Sequence, residues 1–389
     1  MTRSAAARTA TGDTVQQPSQ ALTIPPAEAA VVGVGLLGAT GYGGAELIRL
    51  LEGHPHAALR AASSRQHAGR TVSSQLPALA GGDLVLDDDP QDPAAWIDRG
   101  VGVVFSALPH GAFAARAGAF LDAGLKVIDL SGDFRLKEAS EYQKRYHAVH
   151  PDPELLGGAV YGLTEWRGAE LEGAKLVANP GCYATAILLA ALPAVEAGLW
   201  SGEPMIVNAL SGVSGAGRAP SLATHFVECG SGASAYRVGE EHAHLGEIRQ
   251  EIGDRIGAGA GRSRGAQSIG PVIFNPHLVP MSRGILASVA LPMVCPMETD
   301  AVRSLYAGRY ASSAFVRILE EDTLPETRHV RGSNRCDIAV RVAAGGRMLL
   351  VFSAIDNLVK GAAGQAIQNW NRMQGWPEST GLPIDGFGS

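Results

Sequence analysis

Short apolar runs alternate with stretches of helical periodicity over the first half of the chain. Residues 45–51 and 112–123 carry apolar side chains at helical spacing. The runs of strand length cover residues 31–37, 57–62, 101–107 and 126–130. Alternation of this kind is typical of a parallel, doubly wound sheet, so the pattern predicts an α/β, Rossmann-type domain.

The pattern changes in the second half. Apolar or alternating stretches lie at residues 269–274, 285–292, 314–319 and 337–355. Gly345 and Gly346 interrupt the last stretch as a hairpin turn would, and a final helix is expected near Asn371. We therefore predict a second, largely antiparallel sheet with helices on one face, hence an α+β domain. The predicted division is a disordered tail at 1–29, a nucleotide-binding domain at 30–180 with 356–389, and a catalytic and oligomerisation domain at 181–355.

Composition narrows the class of protein. The chain has 389 residues, 46% of them hydrophobic, and a formal net charge of −6, so no basic surface for nucleic acid is expected. No run approaches the roughly 18 apolar residues of a membrane span, and the tail lacks the apolar core of a secretory signal. The four cysteines lie far apart and form no CxxC motif, so the sequence indicates neither a disulfide framework nor a zinc site. A reduced, cytoplasmic setting is predicted.

One cysteine lies where a strand gives way to a helix. An apolar run ends in Asn179-Pro180-Gly181, and the Ala/Leu-rich residues after Cys182 favour helix. At a helix N-terminus, free N–H groups and the helix dipole favour a thiolate and stabilise an oxyanion. Cys182 is therefore a candidate nucleophile for acyl chemistry. The alternative is an inert, buried cysteine in a tight turn.

A glycine-rich turn follows the first predicted strand. Gly38, Thr40, Gly41, Tyr42, Gly43 and Gly44 stand between the strand and a helix, the context that a dinucleotide fingerprint requires. The GxxGxxG spacing is a weaker signal than GxGxxG, and an ordinary glycine turn is the alternative. The second strand ends in Ser63, Ser64 and Arg65, which would hold the 2′-phosphate of NADP better than the ribose of NAD. A solvated surface turn would leave that preference open.

Two more loops follow strands at the same sheet edge. Ala107 and Pro109 end one strand, with His110 as a neighbour of the nucleotide, and Arg135 follows the next strand as a candidate anion ligand. A surface arginine paired with Asp133 or Glu138 is the alternative for Arg135.

The second half carries an anion loop and a histidine pair. The loop at 211–218, with Ser214, Gly215 and Arg218, could surround an anion or be a plain connector. His242 and His244 are two residues apart, so they do not share a helix face and a two-histidine metal site is not expected. One of them at a helix start is suited to general acid/base work, although a structural histidine is the commoner case.

Several of these segments together resemble one family, N-acetyl-gamma-glutamyl-phosphate reductases of arginine biosynthesis, from about Val32 to the C-terminus. The segments are GATGYGGAELIRLL, SALPHG, DLSGDFRL, VYGLTE, NPGCYATA, SGVSGAGR, NPHLVPMSRGIL and DNLVKGAAGQAIQNWN. The resemblance implies a Rossmann domain joined to a catalytic domain like those of glyceraldehyde-phosphate and aspartate-semialdehyde dehydrogenases. It implies reduction of an acyl phosphate to an aldehyde with NADPH, without a metal, in a homodimer or homotetramer.

The resemblance also implies roles for individual residues. Cys182 matches the family nucleophile and His244 the acid/base. Asn357 and Lys360 would border the nicotinamide. Substrate contacts would come from Arg135, Asn179, Ser214, Gly215, Arg218 and His242.

The sequence departs from the family pattern at one position near the histidines. The family's usual stretch reads like HRHTPEI, whereas this chain has HAHLGEI, with Ala243 where arginine is common. The departure affects which substrate is expected more than which reaction. The first alternative function is therefore the same chemistry on a carrier-protein-bound gamma-glutamyl or aminoadipyl phosphate. A non-catalytic nucleotide-binding scaffold is the second, and it would be expected to lack Cys182 or His244.

Overall fold

A parallel sheet forms the first half of the fold. The computed structural model describes residues 31–79, 84–258 and 269–387, so the predicted tail lies outside it. The strands run in the order β2-β1-β3-β4-β6-β5, and every pair is parallel. They are β1 Val32–Leu37, β2 Ala57–Ser63, β3 Val101–Ser106, β4 Lys126–Asp129, β5 Val160–Tyr161 and β6 Leu176–Ala178. The predicted doubly wound α/β domain is confirmed.

The strand order places a crevice beside β1. From β1 the chain passes to β2 on one side and then returns to β3 on the other. Such a reversal of strand order opens a ligand site at the carboxyl ends of the two central strands. Here those ends lead into the glycine turn after β1 and the loop at 107–111 after β3.

Twelve α-helices surround the two sheets within the described residues. They are α1 Tyr42–Glu52, α2 Val72–Gln75, α3 Ala94–Ile97, α4 Ala117–Asp122, α5 Ala139–Tyr146, α6 Thr164–Leu171, α7 Cys182–Glu196, α8 Phe226–Cys229, α9 His244–Ala258, α10 Thr299–Arg309, α11 Thr327–Val330 and α12 Gly364–Met373. Part of the helix predicted at 112–123 is a 3₁₀ turn, Ala114–Arg116, and Asp133 accepts the N–H groups of Gly111 and Ala114 at its start. The final helix ends near Asn371 and follows a π-helical turn at Val359–Ala363.

The second sheet has seven strands in the order β11-β12-β13-β10-β7-β9-β8. The strands are β7 Met205–Gly212, β8 Ser234–Ala235, β9 Val272–Val279, β10 Ile285–Pro292, β11 Val316–Ile318, β12 Cys336–Ala343 and β13 Met348–Ile355. Four pairs are antiparallel, whereas β7/β9 and β11/β12 are parallel. Side chains on β10 alternate between buried and half-buried, so one face covers the core around α7 and the other stays open.

The C-terminal segment returns to the first sheet. Val359, Ile367 and Trp370 pack in one hydrophobic cluster with Leu47 of α1 and Phe105 of β3. This return brings the turn at 356–363 alongside the start of α7. In the described parts of the chain, no helix combines the length and hydropathy needed to cross a membrane.

Candidate active site

Cys182 is the first residue of α7, a 15-residue helix that begins directly after the Asn179-Pro180-Gly181 turn. Gly181 is the N-cap, with φ −68° and ψ 148°, and no side chain caps this end of the helix. The Cys182 side chain is half-buried. The predicted position of Cys182 at a helix N-terminus is confirmed.

His244 lies against the same turn. It is the first residue of α9, which packs on α7. A Cβ atom on Gly181 would lie 2.4 Å from His244 Nε2, so the imidazole touches the residue before Cys182. The His244 Nδ1 atom is buried and has no hydrogen-bond partner among the described residues. The fold thus brings together the two residues named as nucleophile and acid/base.

Electrostatics favour the neutral forms of this pair. Burial raises the pKa of Cys182 to about 11, and this outweighs the Arg135 guanidinium and the N–H groups of Tyr183 and Cys182, which lower it. Burial also lowers the pKa of His244 well below its usual value, and Arg135 adds to that shift. The N–H groups at the start of α7 therefore favour the thiolate as predicted, but desolvation is the larger effect and the net shift of the Cys182 pKa is upward.

Arg135 lies in neither of the two environments that the sequence suggested, an open anion site or a surface pair with Asp133 or Glu138. Its guanidinium forms a buried ion pair with Glu247 at 3.1 Å, and its Nη1 lies 3.5 Å from His244 Nε2. The remaining nitrogens donate to the carbonyl oxygens of Asn179, at 2.8 Å, and Leu130, at 2.7 Å. Each nitrogen already has a protein partner, so a substrate anion would share the guanidinium with Glu247, and the substrate contact of Arg135 stays a prediction.

The Asn179 side chain is likewise committed to the protein. It is fully buried, donates to the carbonyl of Ala362 and accepts from Asn369. These bonds tie the turn before Cys182 to the C-terminal segment. The structure therefore gives Asn179 a structural place instead of the predicted substrate contact.

The crevice at the end of β1 fits a dinucleotide. Gly38 has φ +79°, and a Cβ there would lie 2.8 Å from the carbonyl oxygen of Ala107, so only glycine suits this turn. The first turn of α1 begins at Tyr42 without a side-chain cap on Gly41, and the space around Gly43 is open. Backbone N–H groups at such a helix start bind phosphate groups.

Hydroxyl groups line the end of β2. The Thr40 and Ser64 hydroxyls are 2.8 Å apart, and the buried Ser63 hydroxyl has no partner within the described chain. Arg65 is exposed and pairs with Asp89 at 3.2 Å. One unpaired hydroxyl and one exposed guanidinium thus lie at the end of β2, where this type of fold contacts the ribose of a dinucleotide.

The loop at 213–218 faces this crevice across a cleft of about 390 Å³. Arg218 donates to the carbonyl of Thr40 at 2.8 Å, which places it beside the glycine turn instead of beside Cys182. Ser214 accepts a hydrogen bond from Asn357, whose own oxygen accepts from the N–H of Gly284. A Cβ on Gly215 would lie 3.2 Å from the Ser211 hydroxyl, so this part of the loop is packed closely.

Lys360 does not border the cleft. Its ammonium group is fully buried and donates to Glu165 at 2.5 Å and to Gln368 at 2.7 Å. The predicted position of Lys360 beside a nicotinamide is thus contradicted by its burial. Its neighbour Gly361 instead approaches the nucleophile, because a Cβ there would lie 2.8 Å from Cys182 Cβ.

His242 and His110 lie on either side of His244. The rings of His242 and His244 are 4.6 Å apart, and His242 Nδ1 accepts the His244 N–H. Burial lowers the pKa of His242 to about 2. His110 accepts the N–H of Gly132 and packs against Tyr146, so it lies close to Arg135.

Three residues that lie close to Cys182 or His244 were not predicted from the sequence. They are Glu247, Gly361 and Arg237. Arg237 is exposed, has φ +42°, and its guanidinium lowers the pKa of His110, His242 and His244. A non-glycine residue with left-handed backbone often marks a functional site, but the sequence carries no signal for it.

No group of three or more metal-ligating side chains lies together in residues 31–79, 84–258 and 269–387.

Comparison with protein families gives two matches. A model described as "Semialdehyde dehydrogenase, NAD binding domain" matches residues 33–174, and one described as "Semialdehyde dehydrogenase, dimerisation domain" matches residues 182–357.

Curated relatives match over most of their length. The N-acetyl-gamma-glutamyl-phosphate reductase of Symbiobacterium thermophilum is 44% identical over 352 residues, 90% of this chain and 97% of the relative. The Bacillus subtilis enzyme of the same name is 41% identical over 353 residues, 90% of this chain and 98% of the relative.

Solved structures share the fold at low identity. Aspartate semialdehyde dehydrogenase II from Vibrio cholerae superposes with a TM-score of 0.64 at 16% identity, covering 89% of this chain and 99% of that one. The aspartate semialdehyde dehydrogenase from Candida albicans, solved with NADP, gives a TM-score of 0.61 at 17% identity, with the same coverage of both chains.

Proposed function

The chain belongs to the N-acetyl-gamma-glutamyl-phosphate reductase family, and we propose that it reduces N-acetyl-gamma-glutamyl phosphate to N-acetylglutamate 5-semialdehyde, releasing phosphate. The observation that carries this proposal is the contact of the His244 ring with Gly181, beside Cys182 at the start of α7. A nucleophile next to an acid/base at a helix N-terminus is the arrangement that acyl transfer requires.

The first half-reaction uses the cysteine. Because burial raises the pKa of Cys182 to about 11, the thiol proton passes to an acceptor as the sulfur bonds to the acyl carbon. His244, held neutral by burial, is the neighbouring acceptor. The acyl carbon–oxygen bond to phosphate breaks, phosphate leaves with the electron pair, and a Cys182 thioester remains. The N–H groups at the start of α7 stabilise negative charge on the carbonyl oxygen.

The second half-reaction returns the cysteine. The glycine turn before α1 would hold a nicotinamide dinucleotide, which would supply the hydride that reduces the thioester carbon. The carbon–sulfur bond then breaks, the aldehyde is released and Cys182 regains its proton, with His244 as donor. Asn357, hydrogen-bonded to Ser214 and to Gly284, ties the loop at 213–218 to the turn before β10.

We infer that the dinucleotide is NADP(H). The support is the Thr40–Ser64 hydroxyl pair, the unpartnered Ser63 hydroxyl and the exposed Arg65 guanidinium at the end of β2. The test is Ser64→Asp, which places a carboxylate where the 2′-phosphate would bind. The KM for NADPH should rise far more than that for NADH, and an equal effect on both would contradict the assignment.

The direct test runs the reaction backwards, with N-acetylglutamate 5-semialdehyde, NADP and inorganic phosphate, following NADPH at 340 nm. Formation of NADPH only when phosphate is present supports the proposal. Cys182→Ser should abolish the reaction while NADP still binds, and the exposed Cys295→Ser is the matched control. Substantial turnover by Cys182→Ser would contradict the nucleophile.

The same assay tests the identity of the substrate separately from the type of reaction. Ala243 stands where the family pattern has arginine, and the exposed Arg237 lies close enough to lower the pKa of His244. A protein that binds NADP but leaves the free aldehyde unreacted would show that the acyl phosphate is a different one, such as a carrier-bound gamma-glutamyl or aminoadipyl phosphate.

We also propose that the protein is a homo-oligomer that assembles through the open face of the second sheet. On that face Ile206 is 38% exposed and Leu210 37%, within the region matched by the dimerisation-domain description. Leu210→Glu should yield a smaller species in sedimentation, whereas Val149→Glu, which is 76% exposed in the other half, should not. An unchanged mass for Leu210→Glu would contradict this interface.

The cytoplasm is the compartment we propose, since a thiol nucleophile persists where thiols stay reduced.

A further inference from the structure

Glu247 is a fully buried carboxylate that three different parts of the fold contact. Its Oε2 accepts hydrogen bonds from the N–H of Gly181 and from the hydroxyl of Tyr161, both at 2.9 Å. Its Oε1 accepts from Arg135 at 3.1 Å. These partners belong to the turn before Cys182, to β5 and to the loop after β4. One side chain thus holds together the elements around the nucleophile.

Glu247 is also fixed relative to His244. The two residues are three apart on α9, so they share a helix face, and His244 Nε2 is 3.9 Å from Glu247 Oε1. The same carboxylate therefore contacts the residue before Cys182 and lies under the His244 ring. Any movement of α9 relative to α7 must stretch the bond from Gly181 to Glu247.

We propose that Glu247 is a positioning residue that sets the distance between Cys182 and His244 and balances the buried charge of Arg135 beneath them. This inference deepens the proposed function and rests on it for the roles of Cys182 and His244. Glu247 touches no reacting atom, so it acts through the turn and the ring that it holds.

The charge balance has a measurable consequence at the thiol. Arg135 lowers the pKa of Cys182 and Glu247 raises it, while burial is the largest influence. Other titratable groups also face this cluster. They include Asp129, Tyr146 and Tyr161 around Arg135, Tyr183 beside Cys182, and His110, His242 and Arg237 around His244. Loss of the Glu247 charge leaves Arg135 uncompensated and should make the Cys182 thiol more acidic.

Three variants test the proposal. Glu247→Gln removes the charge, and Glu247→Asp keeps the charge but shortens the reach. Glu251→Gln is the matched control: Glu251 lies one turn further along α9, is 1% exposed and pairs with Arg167, away from the cysteine turn. All proteins carry Cys229→Ser and Cys295→Ser, so that iodoacetamide labelling, quantified on peptides, reports Cys182.

Glu247→Gln should be alkylated faster at pH 8, by about tenfold for each unit by which the pKa falls. Its kcat should fall about 10²-fold, the usual cost of misplacing a group by about 1 Å, with the Kd for NADPH unchanged. Glu247→Asp should lose kcat without the gain in alkylation rate. Glu251→Gln should lose thermal stability but keep both the alkylation rate and kcat.

Equal alkylation rates and kcat for Glu247→Gln and Glu251→Gln would overturn the proposal, since a merely structural carboxylate predicts that result. If Glu247→Gln does not fold, a wild-type kcat in Glu247→Asp overturns it, and a large loss supports it. A wild-type protein that ignores the semialdehyde would refute the proposed function, whereas the alkylation comparison would still decide the role of Glu247.

Discussion

Gly181→Ala is the sharpest perturbation of the proposed catalytic pair. The glycine has φ −68° and ψ 148°, a conformation that alanine adopts freely, so the backbone is not strained. The new Cβ would lie 2.4 Å from His244 Nε2 and 2.6 Å from the Cδ2 and Cε1 atoms of the ring. The substitution therefore adds one methyl group against one catalytic side chain.

The size of the effect follows from that clash. An ordinary contact begins near 3.4 Å, so the ring must move by 3.4 − 2.4, or about 1 Å. A misplacement of about 1 Å costs roughly 10²-fold in rate, about 2.7 kcal/mol. Replacing an N-cap glycine by alanine costs of the order of 0.5 kcal/mol of stability, which is the smaller effect. We expect kcat to fall about 100-fold with little change in Tm.

The assay is NADPH formation from the semialdehyde, NADP and phosphate, together with a thermal melt and an NADP titration. The control is Gly308→Ala in α10, where a Cβ meets nothing within 4 Å. NADP affinity should be unchanged in both variants. A Gly181→Ala protein with wild-type kcat would refute the reasoning, because it would mean that the His244 position does not limit the chemistry.

Three further outcomes are expected. Lys360→Met leaves the buried Glu165 carboxylate unpaired and should lower the free energy of unfolding in urea by about 3–5 kcal/mol, whereas the half-exposed Lys137→Met should cost under about 1 kcal/mol. Gly361→Ala, with a Cβ 2.8 Å from that of Cys182, should lower kcat while NADP still binds, and unchanged kcat would argue against the contact. Because burial raises the pKa of Cys182 to about 11, its alkylation should accelerate about tenfold per pH unit from pH 7 upwards, and a plateau below pH 9 would contradict the shift.

The first sheet was predictable because its strands are buried on both faces. Such strands appear as continuous apolar runs, and the helices between them keep a clear period, so β1 to β4 and α1 lie close to their predicted positions. The short helices α2 and α3 and the π-helical turn at Val359–Ala363 were not predicted. The two helices are only four residues long, too short to show a helical period, although Thr71 caps α2 and Asp92 accepts the N–H of Ala94 in α3.

The second sheet shows the limit of pattern analysis. Stretches overlapping β9 to β13 and the hairpin at Gly345 were predicted, but β8 and the parallel pairing of β7 with β9 were not. Strand pairing is set by register and packing between segments far apart in the chain, and alternation alone is the same for either direction.

The sequence by itself determined the local chemistry: a cysteine at a helix start, a histidine at another, a glycine turn after a strand, and a set of motifs that resemble one family. Local signals of this kind survive because caps and turns need particular residues at fixed spacing. Only the tertiary structure decided which charges meet. It pairs Arg135 with Glu247 and Lys360 with Glu165, and it makes Cys182 a thiol, since burial and long-range contacts set a pKa and no local pattern records them.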